Sequence, residues 1–157
     1  MNRKRNSLPS ILLASALALA GCSRLPLYSH FEAVADTGWS RTDTLRFTIP
    51  TNQAGTYNLR LDLRASSLYP YTQLTLFACR QTSHAPAAAI RDTLVFDITD
   101  NDGNIQGSGT SVYQYSTRLS SVHLGKRDTL TITLFHAMAR DVLPGIVDLG
   151  ITMQESD

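Results

Sequence analysis

Hydrophobic and polar positions alternate with a period of two through much of the chain after residue 44, the mark of strands with one buried and one wetted face. Thr44-Leu45-Arg46-Phe47-Thr48-Ile49 places Leu45, Phe47 and Ile49 on one side, and Tyr57 to Arg64 repeats the pattern with cleaner polarity. In that second strand Asp62 and Arg64 alternate on the polar face, which reads as solvated surface. Further strands are predicted at Thr72 to Cys79, Thr93 to Ile98, Ser111 to Tyr115, Thr129 to Phe135 and Ile146 to Met153. Turn signals separate them: Pro50-Thr51-Asn52 before Gly55, Tyr69-Pro70-Tyr71, Asp100 to Asn104, and Gly125-Lys126-Arg127. With no long helical pattern between them, the expected fold is all-β. It is an antiparallel β-sandwich of about seven or eight strands, with the jelly roll as one arrangement that fits. A short helix is predicted around His136 to Leu143, ended by Pro144-Gly145.

The first residues follow a different rule. Asn2 to Arg5 supplies three cations, Ile11 to Ala20 is an uncharged stretch of about 10 residues, and Leu19-Ala20-Gly21-Cys22 follows. That stretch is shorter than the ~20 residues needed to span a bilayer. This is the form of a bacterial lipoprotein signal and its lipobox, with Cys22 as the residue that receives diacylglycerol. Each buried methylene of the lipid contributes ~0.8 kcal/mol, so two or three chains anchor the protein stably. The expected organisation is a removed signal at 1–21, a lipidated tether at 22–29, and a single β-sandwich domain at 30–157.

Charge then excludes one class of partner. The chain has 14 Lys and Arg against 13 Asp and Glu. Loss of Arg3, Lys4 and Arg5 leaves 14 − 3 = 11 basic against 13 acidic residues, a mature charge near −2. The remaining cations are scattered singly, without the basic face that nucleic acid requires. With Cys22 taken by lipid, Cys79 stands alone and forms no intramolecular disulfide; its apolar run Leu74 to Cys79 predicts a small buried core residue.

Candidate chemistry is sparse. Asp100-Asn101-Asp102-Gly103-Asn104 clusters hard oxygen ligands like the start of a calcium loop. Its Gly is misplaced for that order and no closing Glu follows, so a turn is expected and no metal site. Gly107-Ser108-Gly109 lacks the Gly-x-Ser-x-Gly spacing of a nucleophile elbow and reads as a bulge or a close backbone approach. His30, His84, His123 and His136 show no ligand-pair spacing. No catalytic constellation is expected, and no cofactor beyond the covalent lipid on Cys22.

Aromatic residues offer the best candidate contacts. Trp39, Tyr69, Tyr71, Tyr113 and Tyr115 suit either a sandwich core and rim or a stacking platform for sugar. In Tyr69-Pro70-Tyr71 the proline presets the backbone and holds two rings at a strand entrance. Trp39, Tyr69 and Tyr71 are therefore the binding residues expected from sequence, with closure of the core end as the competing role.

Several spaced motifs together resemble one family. Phe31 with Trp39, Asp43 and Phe47, then Tyr57-x-Leu-x-Leu-x-Leu-Arg64, Tyr69-Pro70-Tyr71-x-x-Leu74, and Asp102-Gly103-x-x-x-Gly107-x-Gly109 come first. Met138-x-Arg140-x-x-Leu143-x-Gly145-Ile146-x-Asp148-Leu149-Gly150 completes the series. The order of these motifs is similar to that of the gliding motility lipoprotein GldH family of Bacteroidetes, over almost the whole mature chain. Ala139 interrupts the family's Met-Arg pair and Ile105 stands where an aromatic is common, which marks a divergent member. The resemblance implies a membrane-attached, non-enzymatic accessory of the gliding or envelope machinery, working through envelope protein partners. It also implies a periplasm-facing location, because surface export in that group goes with acidic residues after the lipidated cysteine and Ser23 to Leu27 has none. The alternative expectation from the sandwich pattern is a lipid-anchored carbohydrate-binding module.

Overall fold

A computed structural model describes residues 25–156. The predicted signal and Cys22 lie outside the described residues.

Two antiparallel sheets face each other. The strands are β1 (Tyr28–Ala33), β2 (Trp39–Ser40), β3 (Leu45–Pro50), β4 (Gly55–Ser66), β5 (Gln73–Thr82), β6 (Ile90–Asp97), β7 (Ser108–Gly109), β8 (Val112–Leu124), β9 (Thr129–His136), β10 (Val142–Leu143) and β11 (Ile146–Glu155). One sheet has the order β1-β11-β4-β8-β7 and the other β3-β9-β5-β6; β2 and β10 form a small separate ribbon. Among the eight strands of six residues or more, the first, eighth, third and sixth in chain order face the second, seventh, fourth and fifth. That is the jelly-roll arrangement.

The period-two pattern accounts for the core. Leu59, Leu61 and Leu63 of β4 pair with Met153, Ile151 and Leu149 of β11 and point inward. They meet Phe47 and Ile49 of β3, Leu74 and Leu76 of β5, and Leu130, Ile132 and Leu134 of β9 from the opposite sheet.

Two bulges set which residues leave this core. Ile146 pairs with Ala65 and Asp148 with Arg64, so Val147 is the extra residue; Ile146 enters the core while Asp148 faces outward. On β8, Ser120 and Ser121 together oppose Asn58, which lets both Leu119 and Val122 face inward.

The structure departs from the sequence expectations at four places. β1 takes up Tyr28 and Ser29, and it joins the sheet because Phe31 and its neighbours pair with β11. No helix occurs at His136 to Leu143 or elsewhere among the described residues. There Val142 and Leu143 pair with Ser40 and Trp39, and the Arg41 guanidinium binds the carbonyls of Met138 and Ala139 that a helix would use internally. Cys79 is half-buried on the outer face of the four-stranded sheet beside Phe77 and Phe135, because Ala78 and Arg80 take the inward positions of β5. Asp62 is not a solvated surface residue: it is 0% exposed.

Candidate functional site

The burial of Asp62 leads to the most organised polar surface of the molecule, the outer face of the five-stranded sheet. Register aligns its outward residues in rows across the strands. Ala33, Asp148, Arg64 and Gln114 form one, Phe31, Gly150, Asp62 and Ser116 the next, and Ser29, Thr152, Arg60 and Arg118 a third.

Each buried carboxylate in these rows is fully engaged. Ser116 Oγ donates to Asp62 Oδ1 at 2.5 Å and Thr152 Oγ1 donates to Oδ2 at 3.2 Å. Arg60 Nε completes the set at 3.0 Å from Oδ1. One row away, the Arg64 fork grips Asp148 with Nε on Oδ1 at 2.7 Å and Nη2 on Oδ2. This bidentate bond favours the charged form of Arg64 and pushes its pKa up. The Arg64 guanidinium also stacks on the Phe31 ring, 4.6 Å from its centre, and that ring covers Gly150.

The arrangement sinks its carboxylates and lifts its guanidiniums. Asp62 and Asp148 are buried, whereas the side chains of Arg60 and Arg64 are 50% and 42% exposed. Both carboxylates are held as acceptors by the groups around them.

The aromatic residues chosen from sequence lie elsewhere. Trp39, part of the β2–β10 ribbon, is buried, donating Nε1 to the Asp43 carbonyl at 3.2 Å and meeting His136 edge-on with ring centres 5.4 Å apart. Tyr69 is buried, and its hydroxyl donates to the Gln73 carbonyl at 2.9 Å; burial pushes its pKa up. Tyr71 stands against Tyr69 at 5.6 Å between ring centres and is 36% exposed. Gly145, at φ 79°, brings its Cα so close to the Tyr69 backbone that a Cβ would lie 2.3 Å from that nitrogen.

The remaining candidates have structural partners. Asp100 accepts the backbone N–H groups of Asp102 and Asn104 and the Asn104 side-chain amide; these bonds hold its carboxyl below the usual range and close the turn. Gly109 takes φ 144° where the short β7 folds against β8. Asp128 is buried and collects both Ser83 Oγ at 2.5 Å and His84 Nδ1 at 2.8 Å. The serine proton is directed to the carboxylate and not to the imidazole, so these three do not form a nucleophile–base relay.

Four of the residues in the rows, Phe31, Arg64, Asp148 and Gly150, belong to the motifs that carry the family resemblance, and the GldH lipoprotein family model matches residues 26–153. The chain belongs to the GldH lipoprotein family. It is 24% identical over 164 residues to the gliding motility lipoprotein GldH of Flavobacterium johnsoniae, with 99% of each chain covered. It is 22% identical over 157 residues to the GldH homolog of Christiangramia forsetii, with 94% of each covered. Among solved structures, a family 35 carbohydrate binding module from an environmental isolate is similar with a TM-score of 0.40 and 15% identity, over 79% of this chain and 77% of that one.

Motif order identifies Phe31, Arg64, Asp148 and Gly150 but does not show that they meet, and local pattern places Asp62 on a solvated face where the structure buries it. The parity of Asn58, Arg60, Asp62 and Arg64 along β4 was the available signal that one polar face holds all four.

Proposed function

We propose that this member of the GldH lipoprotein family is a non-enzymatic, lipid-anchored accessory of gliding motility or related envelope machinery that acts through protein contacts. The outer face of the five-stranded sheet is its contact surface. The observation that carries this reading is the convergence of Phe31, Arg64, Asp148 and Gly150 from distant parts of the chain onto one outward face. Core packing does not require them there, because Leu63, Leu149 and Ile151 already fill the inner side of the same strands. Two relatives named as a gliding motility lipoprotein and its homolog support the setting. Lipid on Cys22 would hold the sandwich against the membrane on the periplasmic side, and Tyr71 offers a further exposed ring for a partner.

A photo-crosslinking residue at Gln114, on this face, tests the reading against one at Thr48, on the outer face of the other sheet. In the living bacterium Gln114 should give a discrete adduct with an envelope protein and Thr48 should not. Equal or absent adducts from the two positions would overturn the contact surface. Palmitate incorporation that persists in Cys22→Ser would overturn the anchor.

A further inference from the structure

Arg60 and Arg118 are direct register partners on β4 and β8, so two guanidiniums rise from the same face with their backbones about 5 Å apart. Like charges opposed across an antiparallel pair weaken a sheet. Arg60 is tied to Asp62, but Arg118 pairs with no carboxylate among the described residues.

Between the two lies a groove of about 210 Å³, lined by Arg60 and Arg118 together with Asn58, Thr152 and Gln154. Its floor is the backbone at Leu59 and Leu119, whose side chains point into the core. The Ser120–Ser121 bulge follows directly on Leu119 along β8. From the opposite sheet the Arg80 guanidinium, 3% exposed and paired with Asp92, donates to the Ser120 carbonyl at 2.9 Å and its hydroxyl at 2.5 Å. Burying an ion pair seldom stabilises a fold by itself. Here its donors fix the backbone of the bulge next to Leu119.

Three features define the occupant. The lining is cationic or hydrogen-bonding, since Asp62 is sealed beneath Arg60. The volume is below the roughly 300–1,000 Å³ of small-molecule sites. No aromatic ring lines it, so a sugar has nothing to stack on.

The geometry points to a receptor for a carboxylate carried by an acidic segment of a protein partner. Arg118 offers its planar fork to the two oxygens. Arg60 Nη1 and the side-chain amides of Asn58 and Gln154 supply the surrounding donors, since Thr152 and the other Arg60 nitrogens are engaged with Asp62 and each other. This deepens, and rests on, the reading of the sheet face as a contact surface.

The full-length lipidated protein in detergent micelles is to be titrated with a tetraglutamate peptide, with inorganic phosphate in a parallel arm. The peptide should saturate, and Arg118→Gln should weaken it at least tenfold without lowering the melting temperature. Arg46→Gln, on the other sheet, should bind as the unsubstituted protein does. Failure to saturate, unchanged binding in Arg118→Gln, or phosphate binding tighter than the peptide would each overturn the carboxylate receptor. The Gln114 crosslink is read separately. If it persists while the peptide does not bind, only the groove assignment falls; if the peptide binds and the crosslink is absent, only the contact-surface reading falls.

Discussion

The ring of Phe31 lies across Gly150, its register partner on β11, so closely that a Cβ on Gly150 would come within 2.6 Å of the ring carbons. The glycine is there to leave room for the aromatic, and the aromatic in turn supports Arg64 and its grip on Asp148.

This pairing predicts a change of sign. Gly150→Ala should destabilise the protein by about 1–3 kcal/mol, as expected for overpacking at a filled site. In a Phe31→Ala background the obstruction is gone, and the same substitution should be neutral or stabilise by about 0.5–1 kcal/mol, since glycine weakens a strand. Denaturant midpoints of the four proteins of this double-mutant cycle measure both values. Equal losses in the two backgrounds would refute the steric account.

The Asp62 network predicts a loss of stability. Asp62→Ala leaves the Ser116 and Thr152 hydroxyls without their carboxylate acceptor, which should remove about 1–3 kcal/mol of stability. Asp36→Ala, at an exposed loop position, should stay within about 0.5 kcal/mol of the parent. Urea unfolding of both variants makes the comparison, and equivalence between them would show the network to be dispensable.

His136 predicts a pH dependence. Its two ring nitrogens have no hydrogen-bond partner, and burial first, with the nearby Arg41 charge second, lowers its pKa from the ordinary 6.5; the backbone of Trp39 and Asp141 offsets this only in part. The unfolded chain therefore binds more protons than the folded one as pH falls below about 6.5, and stability present above that pH is lost toward the depressed folded value. His136→Phe, which keeps a ring against Trp39, should flatten this loss between about pH 7.5 and pH 5. Parallel pH profiles for the two proteins would count against it.

The Tyr69-Pro70-Tyr71 turn predicts unequal effects from adjacent tyrosines. Tyr69→Ala removes a buried ring and its hydrogen bond to Gln73, and should cost about 3–5 kcal/mol. Tyr71→Ala removes a partly exposed ring and should cost about 1 kcal/mol while the fold persists. Thermal melts separate the two. Any loss of partner crosslinking in Tyr71→Ala is then attributable to contact, not to unfolding.

The class of fold and most of its strands are legible in the chain alone. Alternation along Leu45 to Ile49, Leu59 to Leu63 and Leu130 to Leu134 is dictated by the two faces of a pleated strand, so it is legible locally. The turn at Asp100 to Asn104 is legible for the same reason, because its backbone geometry is set by adjacent residues. The ordered motifs also carried the family.

Which strands are neighbours, and with that the candidate site, emerges only from the packed sheets. Asp62 became a buried acceptor because β11 and β8 bring Thr152 and Ser116 beside it from 90 and 54 residues away. Asp148 faces Arg64 because one extra residue at Val147 shifts its parity, and Cys79 points outward because Ala78 and Arg80 take the inward places. Local pattern specifies that a strand has two faces. What covers each face depends on register with strands remote in sequence, and that is fixed only when the whole sandwich closes.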